Sequence, residues 1–415
     1  MHKARRRKPV STSLTTTTAA TILGIMLMIP SYFVAGTGEQ GINAYGQITP
    51  PSQLQEEQQQ QGGAGGQAIT INGAGATFPF PLIDTWRVGY QSVNPSISIN
   101  YQSIGSGGGV RQFTERTVDF GASDAPLTQE EMQALPSTPV HIPETIGSVV
   151  AAYNLPGIDK GLKLTGPVLA DIFAGKITRW DDARIRELNP DLPLPSAADI
   201  IVVHRSDGSG TTFIWTSYLS QVSPEWNQTV GAGKSVQWTV GLGAQGNEGV
   251  SNTILSTPNS IGYVELTYAL TTDMDYASLM NREGNFVEPT VDSTQAAVQA
   301  AIIMSSTGTA NSTGTSAVSL PGGDQSWTRV SVLDAPGAES YPIASFSYLL
   351  LYKEMSTNID SMDKAQALAE FVNWAITDGQ QFTSPLHYVP LPESVVQHNQ
   401  QTLRSLTFNG QPVLQ

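Results

Sequence analysis

The chain has no cysteine among its 415 residues. That excludes disulfides, thiolate metal sites and cysteine nucleophiles, and with them the lipid-modified cysteine that anchors many exported binding proteins. Charge is also scarce. Asp, Glu, Lys and Arg make up 13% of the sequence, so Ser, Thr, Gly, Asn and Gln must cover much of the surface. The five histidines (His2, His141, His204, His387 and His398) include no His-x-x-x-His pair, so no local zinc-ligand spacing is present. No nucleophile–base pair or metal cluster can be read, which speaks against an enzyme, and no cofactor is expected.

The net charge is −14; residues 1–67 hold five basic side chains (Lys3, Arg5, Arg6, Arg7, Lys8) and three acidic ones (Glu39, Glu56, Glu57), so the acidity lies in the remainder. A body this acidic is not a nucleic-acid partner. Any anion site in it must rely on local donors, because long-range attraction is absent.

Long apolar runs are missing except at one place. Ala19 to Ala35 is mostly apolar, is interrupted by Pro30 and follows the basic cluster. Residues 1–35 therefore read as a signal peptide or an N-terminal membrane anchor. Residues 36–67, with Gln58–Gln61 and Gly62-Gly-Ala-Gly-Gly66, form a Gln/Gly-rich linker expected to be disordered, with a reach of roughly 30 Å as a flexible coil. An extracytoplasmic location, periplasmic or at the cell surface, is expected, and the linker would suit a tether. The sequons Asn227-Gln-Thr229 and Asn311-Ser-Thr313 are compatible with glycosylation there.

From Ala68 onward the pattern is α/β. Ile69–Ile71 reads as a strand and Pro79 and Pro81 suit a helix start. Leu82, Ile83, Trp86 and Tyr90 share a helix face. Ser96–Tyr101 alternates as a strand, Arg111–Thr117 reads as a helix, and Val118–Phe120 as a short strand. Ile200–Val203 runs as a strand into a loop, with a helix from Phe213 to Leu219. A last helix is expected over Met362–Asp378, with Ala365, Leu368, Ala369, Val372, Ala375 and Ile376 as its buried stripe and Gly379 as its stop. Ser305–Gly323 reads as an exposed loop. Two apolar runs, Ser148–Tyr153 and Ile343–Tyr352, look like crossings between two lobes. The expected division is 68–150 with 343–415 as lobe I and 151–342 as lobe II.

Three Gly/Ser/Thr-rich loops carry the chemistry: Asn72-Gly-Ala-Gly-Ala-Thr77-Phe78-Pro79, Gly105-Ser106-Gly-Gly-Gly109-Val110 and Arg205-Ser-Asp207-Gly-Ser209-Gly-Thr211-Thr-Phe213. Each is poised to open a helix, where free N–H groups and the positive end of the macrodipole favour an anion. Thr77, Phe78, Ser106, Ser209, Gly210 and Thr211 supply hydroxyl and N–H donors. Arg205 is the cation of these loops, and Asp207 is placed to hold its planar fork. Asp124 is the decisive residue. A carboxylate repels an anion unless that anion carries a proton to donate. Hydrogen phosphate does and sulfate does not, so Asp124 would accept from one and reject the other.

These stretches, together with Gly121-Ala-Ser-Asp-Ala-Pro126, Lys176-Ile-Thr-Arg-Trp-Asp181, Gly241-Leu-Gly-Ala-Gln-Gly-Asn247 and Ile261-Gly-Tyr-Val-Glu265, resemble the phosphate-binding proteins of phosphate ABC importers. The resemblance spans roughly Ile69 to Val396. It implies a two-lobed type II periplasmic-binding fold, each lobe a sheet flanked by helices and the two joined by a two-segment hinge, closing over one phosphate. By position it implies phosphate ligands at Thr77, Phe78, Ser106, Asp124, Arg205, Ser209, Gly210 and Thr211, with Asp207 supporting Arg205 and no metal. It further implies a monomer working with membrane permease and ATPase subunits. A phosphate sensor or a generic oxyanion receptor without a transport role is the alternative reading. The long linker and the Ser305–Gly323 loop depart from the family pattern without touching the expected site.

Overall fold

The computed structural model describes residues 68–306 and 320–414. The expected leader and linker, the Asn311 sequon and most of the Ser305–Gly323 loop fall outside the described residues. Among the described residues no helix is long and apolar enough to cross a membrane.

The described residues open with the repeating strand–helix pattern expected of an α/β protein: β1 (Ile69–Gly75), α1 (Phe80–Val93), β2 (Ile97–Ser103), α2 (Ser106–Glu115), β3 (Phe120–Ser123) and α3 (Gln129–Ala134). A 16-residue strand, β4 (Pro139–Asn154), follows. The next part carries β5 (Ile201–Arg205), α4 (Gly210–Val222), β6 (Leu242–Ala244), α5 (Gly246–Ser256), β7 (Ser260–Glu265) and α6 (Leu266–Thr271). The chain ends through β8 (Ala344–Tyr352), α7 (Met362–Ala375) and α8 (Glu393–Arg404).

The main sheet runs β2-β1-β3-β8-β4-β7-β5-β6, and Asp275–Tyr276 adds a short strand on β4. β1 pairs parallel with β2 and with β3, and β5 pairs parallel with β6 and with β7. Two parallel halves, each fed by strand-to-helix loops, are thus joined through an antiparallel centre. Ligands in such sheets bind outside the carboxyl ends of the parallel strands, and β1, β2 and β5 all end at the Gly-rich loops.

β4 joins the halves by changing partners. Its residues up to Ser148 pair with β8, while Val149 to Asn154 pair with β7. The Val149 N–H donates to the Ile343 carbonyl at 2.9 Å, just before β8 begins. The two apolar runs expected to be crossings therefore touch at one point, Ser148 and Val149 against Ile343 and Ala344. β4 is buried at every residue except Asn154, which is why it reads as a continuous apolar run rather than an alternating one.

The anticipated helix faces pack into the core: Leu82, Ile83, Trp86 and Tyr90 on α1, and Ala365, Leu368, Ala369, Val372 and Ala375 on α7, with Ile376 just beyond it, are all buried. Several boundaries differ from expectation: β3 begins at Phe120, where the expected strand Val118–Phe120 ended, and two helix ends are shifted for a physical reason. Helix α2 starts at Ser106, five residues before Arg111, and takes in three glycines. Glycine is a poor helix former, but a Cβ on Gly109 would stand 2.4 Å from the Gly75 Cα, and one on Gly107 would stand 2.9 Å from the Gly208 Cα. Close backbone approach, not propensity, sets the composition of that turn. Helix α7 stops at Ala375, and Gly379 lies in a following 3-10 turn, Asp378–Phe382, instead of capping it. The Gly379 carbonyl accepts the Trp86 indole N–H at 2.8 Å. At the end of the Ser305–Gly323 loop, Gly323 is buried and its carbonyl accepts the His141 N–H at 2.8 Å.

Candidate functional site

The three Gly-rich loops meet. The Gly107 N–H, in the first turn of α2, donates to the Gly208 carbonyl at 2.8 Å. Ser106, the first residue of α2, accepts the Gly210 N–H on its hydroxyl at 3.1 Å and the Asp124 N–H at 3.2 Å. A Cβ on Gly105 would stand 2.2 Å from Asp207 Oδ2, and Gly105 takes a φ of 84° that favours glycine. The loops after β2, β3 and β5 are thus in direct contact.

Arg205 ends β5 with its side chain 1% exposed. Its Nε and Nη2 donate to the two carboxylate oxygens of Asp207 at 2.7 and 2.5 Å. Nη1 donates to Thr211 Oγ1 at 3.3 Å. Burial opposes ionisation of Asp207, but the hydrogen bonds and charge of Arg205, with the Gly246 N–H, outweigh it and hold the carboxyl below its ordinary range. The fork expected between these two residues is present and fixes the guanidinium plane.

Thr77 and Phe78 sit in the turn between β1 and α1. The Asn247 side-chain amide donates to Thr77 Oγ1 at 2.7 Å and to Thr211 Oγ1 at 3.3 Å, and its backbone N–H reaches Thr77 Oγ1 at 3.2 Å. The Asn247 side-chain oxygen accepts the Glu265 N–H at 3.0 Å. Tyr268 donates its hydroxyl to the Thr77 carbonyl at 2.6 Å and Tyr388 donates to the Phe78 carbonyl at 2.7 Å. Both carbonyls of the turn are thereby occupied by protein donors.

Thr77, Phe78 and Thr211 are buried, yet among the described residues no acceptor takes their N–H groups. Orphaned buried N–H groups are rare in folded chains. Three of them occur here; Thr211 touches the buried Arg205 guanidinium through its hydroxyl, and Thr77 is joined to Thr211 through Asn247.

The third loop differs in detail from expectation. The sequence offers Ser209, Gly210 and Thr211 as donors in succession. The Ser209 N–H donates to the Lys234 carbonyl at 2.8 Å, and its hydroxyl caps α4 by accepting the Thr212 N–H at 3.0 Å. The Gly210 N–H is held by Ser106, so Thr211 alone keeps its N–H free of a protein acceptor. Lys234 also forms an ion pair with Glu131 on α3, on the opposite side of the contact.

Asp124 is 1% exposed. Oδ1 accepts the Ser347 hydroxyl at 2.9 Å, and Oδ2 lies 3.4 Å from the Ser106 hydroxyl. Burial pushes its carboxyl up to about 7, against the pull of Ser347, Arg205 and Ser106. His204 faces away from this chemistry and stacks on Trp238, with ring centroids 4.7 Å apart. Among the described residues no group of three or more acidic or histidine side chains is placed to hold a metal ion.

Sequence reasoning missed Asn247, Tyr268, Tyr388 and Ser347. Asn247 had a local signal, since it opens a helix immediately after Gly246 at the end of a Gly-rich stretch. The others had none.

This is the architecture of a periplasmic-binding protein, and residues 53–378 match the family described as a PBP superfamily domain. Two curated relatives, both phosphate-binding proteins PstS, come from Pasteurella multocida and Xylella fastidiosa. The first is 44% identical over 80% of this chain and 89% of its own length, the second 41% over 91% and 93%. The chain belongs to the PstS family of phosphate-binding proteins. The crystal structure of a phosphate-binding protein from Stenotrophomonas maltophilia has the same fold, with a TM-score of 0.58 at 20% identity over 80% of this chain and 92% of that one.

Proposed function

We propose that the chain binds inorganic phosphate with high affinity outside the cytoplasm and delivers it to the permease of an ABC importer, with Thr77, Phe78, Ser106, Asp124, Arg205, Ser209, Gly210 and Thr211 as its binding residues. The orphaned N–H groups of Thr77, Phe78 and Thr211 carry this reading. They are buried, Thr211 and Thr77 share the Asn247 amide and Thr211 touches Arg205, and an oxyanion is the ligand that such a donor set satisfies. Family membership supports the same function, and it favours transport over a free-standing sensor.

In this reading the segments 68–150 and 343–415 form one lobe and 151–342 the other. They move about the paired crossings at Ser148–Val149 and Ile343. Closure brings α2 against the Arg205 loop, excludes water and leaves the anion among fixed dipoles. Ser209 acts by capping α4 and orienting the Gly210–Thr211 turn. Asp124 takes the proton-bearing oxygen of hydrogen phosphate. Docking on the permease would reopen the lobes, and residues 1–67 would hold the body near the membrane.

Isothermal titration calorimetry on protein stripped of carried-over ligand, with phosphate and then sulfate, tests the reading. Tight one-to-one binding of phosphate without sulfate heat is expected. In Asp124→Asn, phosphate should weaken about 10- to 100-fold, the loss of a charged acceptor, and sulfate should begin to bind. Unchanged selectivity would remove Asp124 from this role, and absence of binding to either anion would overturn the proposal.

A further inference from the structure

Glu144 is fully buried, has no part in the donor set above, and stands where the main sheet is irregular. β8 pairs Ser347 with Thr145 and then Tyr348 with Pro143, so Glu144 is the unpaired residue of a β-bulge. A bulge re-aims the side chain it carries. Here the re-aimed carboxyl meets Ser347. The Ser347 hydroxyl lies 3.0 Å from Glu144 Oε1 and 2.9 Å from Asp124 Oδ1. Glu144 Oε2 is buried with no hydrogen-bond partner among the described residues.

A hydroxyl has one proton to donate. If both carboxylates were ionised, one of these two short contacts would set two acceptors against each other in a buried site. Both contacts become hydrogen bonds only if one carboxyl donates to Ser347 Oγ while Ser347 donates to the other. Asp124 has further support for its charge, because Ser106 lies beside it and Arg205 acts on it. Glu144 has no such support. The charged group acting on it is Asp124 itself, and Tyr101 from β2 feels both acids. Glu265 on β7 is a further buried acid within the field of Asp124.

We propose that Glu144 is a positioning residue that holds a proton and passes its hydrogen bond through Ser347 to Asp124, so that Asp124 stays an ionised acceptor. This rests on the phosphate-binding reading. The relay explains how a buried aspartate can accept from a ligand without taking up a proton of its own. Burial raises both carboxyls, and the Asp124 charge raises Glu144 further.

A proton on Glu144 makes binding depend on pH. Above the titration of Glu144 a second buried negative charge would face the anion, and affinity should fall by up to about tenfold per pH unit. Phosphate titrates identically against any variant, so the ratio of dissociation constants isolates the protein. Glu144→Gln keeps a donor to Ser347 and cannot ionise. It should bind phosphate within about threefold of wild type at pH 7 and about tenfold or more tightly than wild type at pH 9.5. Coincident pH profiles would overturn the relay.

Infrared difference spectra of the ligand-free proteins give a readout that does not need phosphate. At pH 7 the wild type should show the carbonyl stretch of a protonated carboxylic acid that Glu144→Gln lacks. Absence of that band would also overturn the relay. If the wild type binds no phosphate at any pH, the functional reading fails while the infrared band still decides the proton. Should Glu144→Gln not fold, Ser347→Ala carries the test. The band should persist and move to the frequency of an acid with no acceptor, and an unmoved band would be evidence against the relay.

Discussion

A Cβ placed on Gly210 would stand 2.4 Å from Asp124 Oδ2 and 2.5 Å from Ser106 Oγ. The Arg205 loop and the Asp124 loop therefore meet with no room for a side chain between them. Gly210→Ala should leave each set of strands and helices folded, since the clash exists only where the loops touch. Phosphate affinity should fall about 100-fold or more, on the order of 3 kcal/mol, in the range of an overpacked contact. Calorimetry against phosphate, with a thermal melt of the ligand-free protein as control, checks both halves of this. Wild-type affinity would show that binding does not require the contact.

Arg205 and Asp207 form a two-pronged pair, and the third guanidinium nitrogen reaches Thr211. A lysine at this position keeps the charge but not the planar fork. Arg205→Lys should weaken phosphate by about 1–3 kcal/mol, the worth of a charge-assisted hydrogen bond. Arg205→Ala should do more, because it also leaves the Asp207 carboxylate partly buried without its cation and beside the incoming anion. The ordering wild type, then Lys, then Ala is the expected result in a binding titration. Equal losses would mean that only charge matters there.

The glycine loops and Asp124 could be read from sequence because their signals are local. A turn that needs close backbone approach shows its glycines, and a helix start shows its hydroxyls. The helix stripes at Leu82–Tyr90 and Ala365–Ala375 were legible for the same reason, since periodicity needs no knowledge of the partner. Tyr268 and Tyr388 were not legible, because they reach Thr77 and Phe78 from 191 and 310 residues away. Nothing in their own neighbourhoods marks them. Ser347 and Glu144 were hidden by a register shift between two strands, which only the paired structure reveals. Ser106 was legible as a helix start, but the periodic pattern of α2 showed only from Arg111, because the glycines of its first turn answer to Gly75 and Gly208 across space rather than to helix propensity.

Asn247 ties three elements together through Thr77, Thr211 and the Glu265 N–H. Asn247→Ala removes the side-chain donor to two buried hydroxyls and the acceptor of a buried N–H. A loss of about 1–3 kcal/mol in unfolding free energy is expected from the unsatisfied groups, together with weaker phosphate binding because the Thr77 turn is no longer held. Denaturant titration of the ligand-free protein separates the first effect from the second. Asn247→Asp should bind phosphate worse than Asn247→Ala, since it places another negative charge beside the ligand.

His141 contributes to the acid limb of stability. It is fully buried on β4, packs edge-on against Tyr348, and accepts the Leu127 N–H on Nε2 at 3.1 Å. Burial lowers its titration to about 4, and protonating Nε2 would set two donors face to face. In the unfolded chain the same imidazole titrates near 6.5. Between about 6.5 and 4 the unfolded state therefore binds the proton more readily, and stability is lost as pH falls through this window. The separation corresponds to about 3 kcal/mol. Asp124 and Glu144 act in the opposite sense, because their raised titrations make the folded state the better proton binder above their unfolded values. A variant that cannot titrate isolates the histidine. His141→Gln offers a side-chain oxygen to Leu127, and its unfolding free energy should decline less steeply than that of wild type between pH 7 and 4.5. Parallel declines would place the acid-sensitive proton on another group.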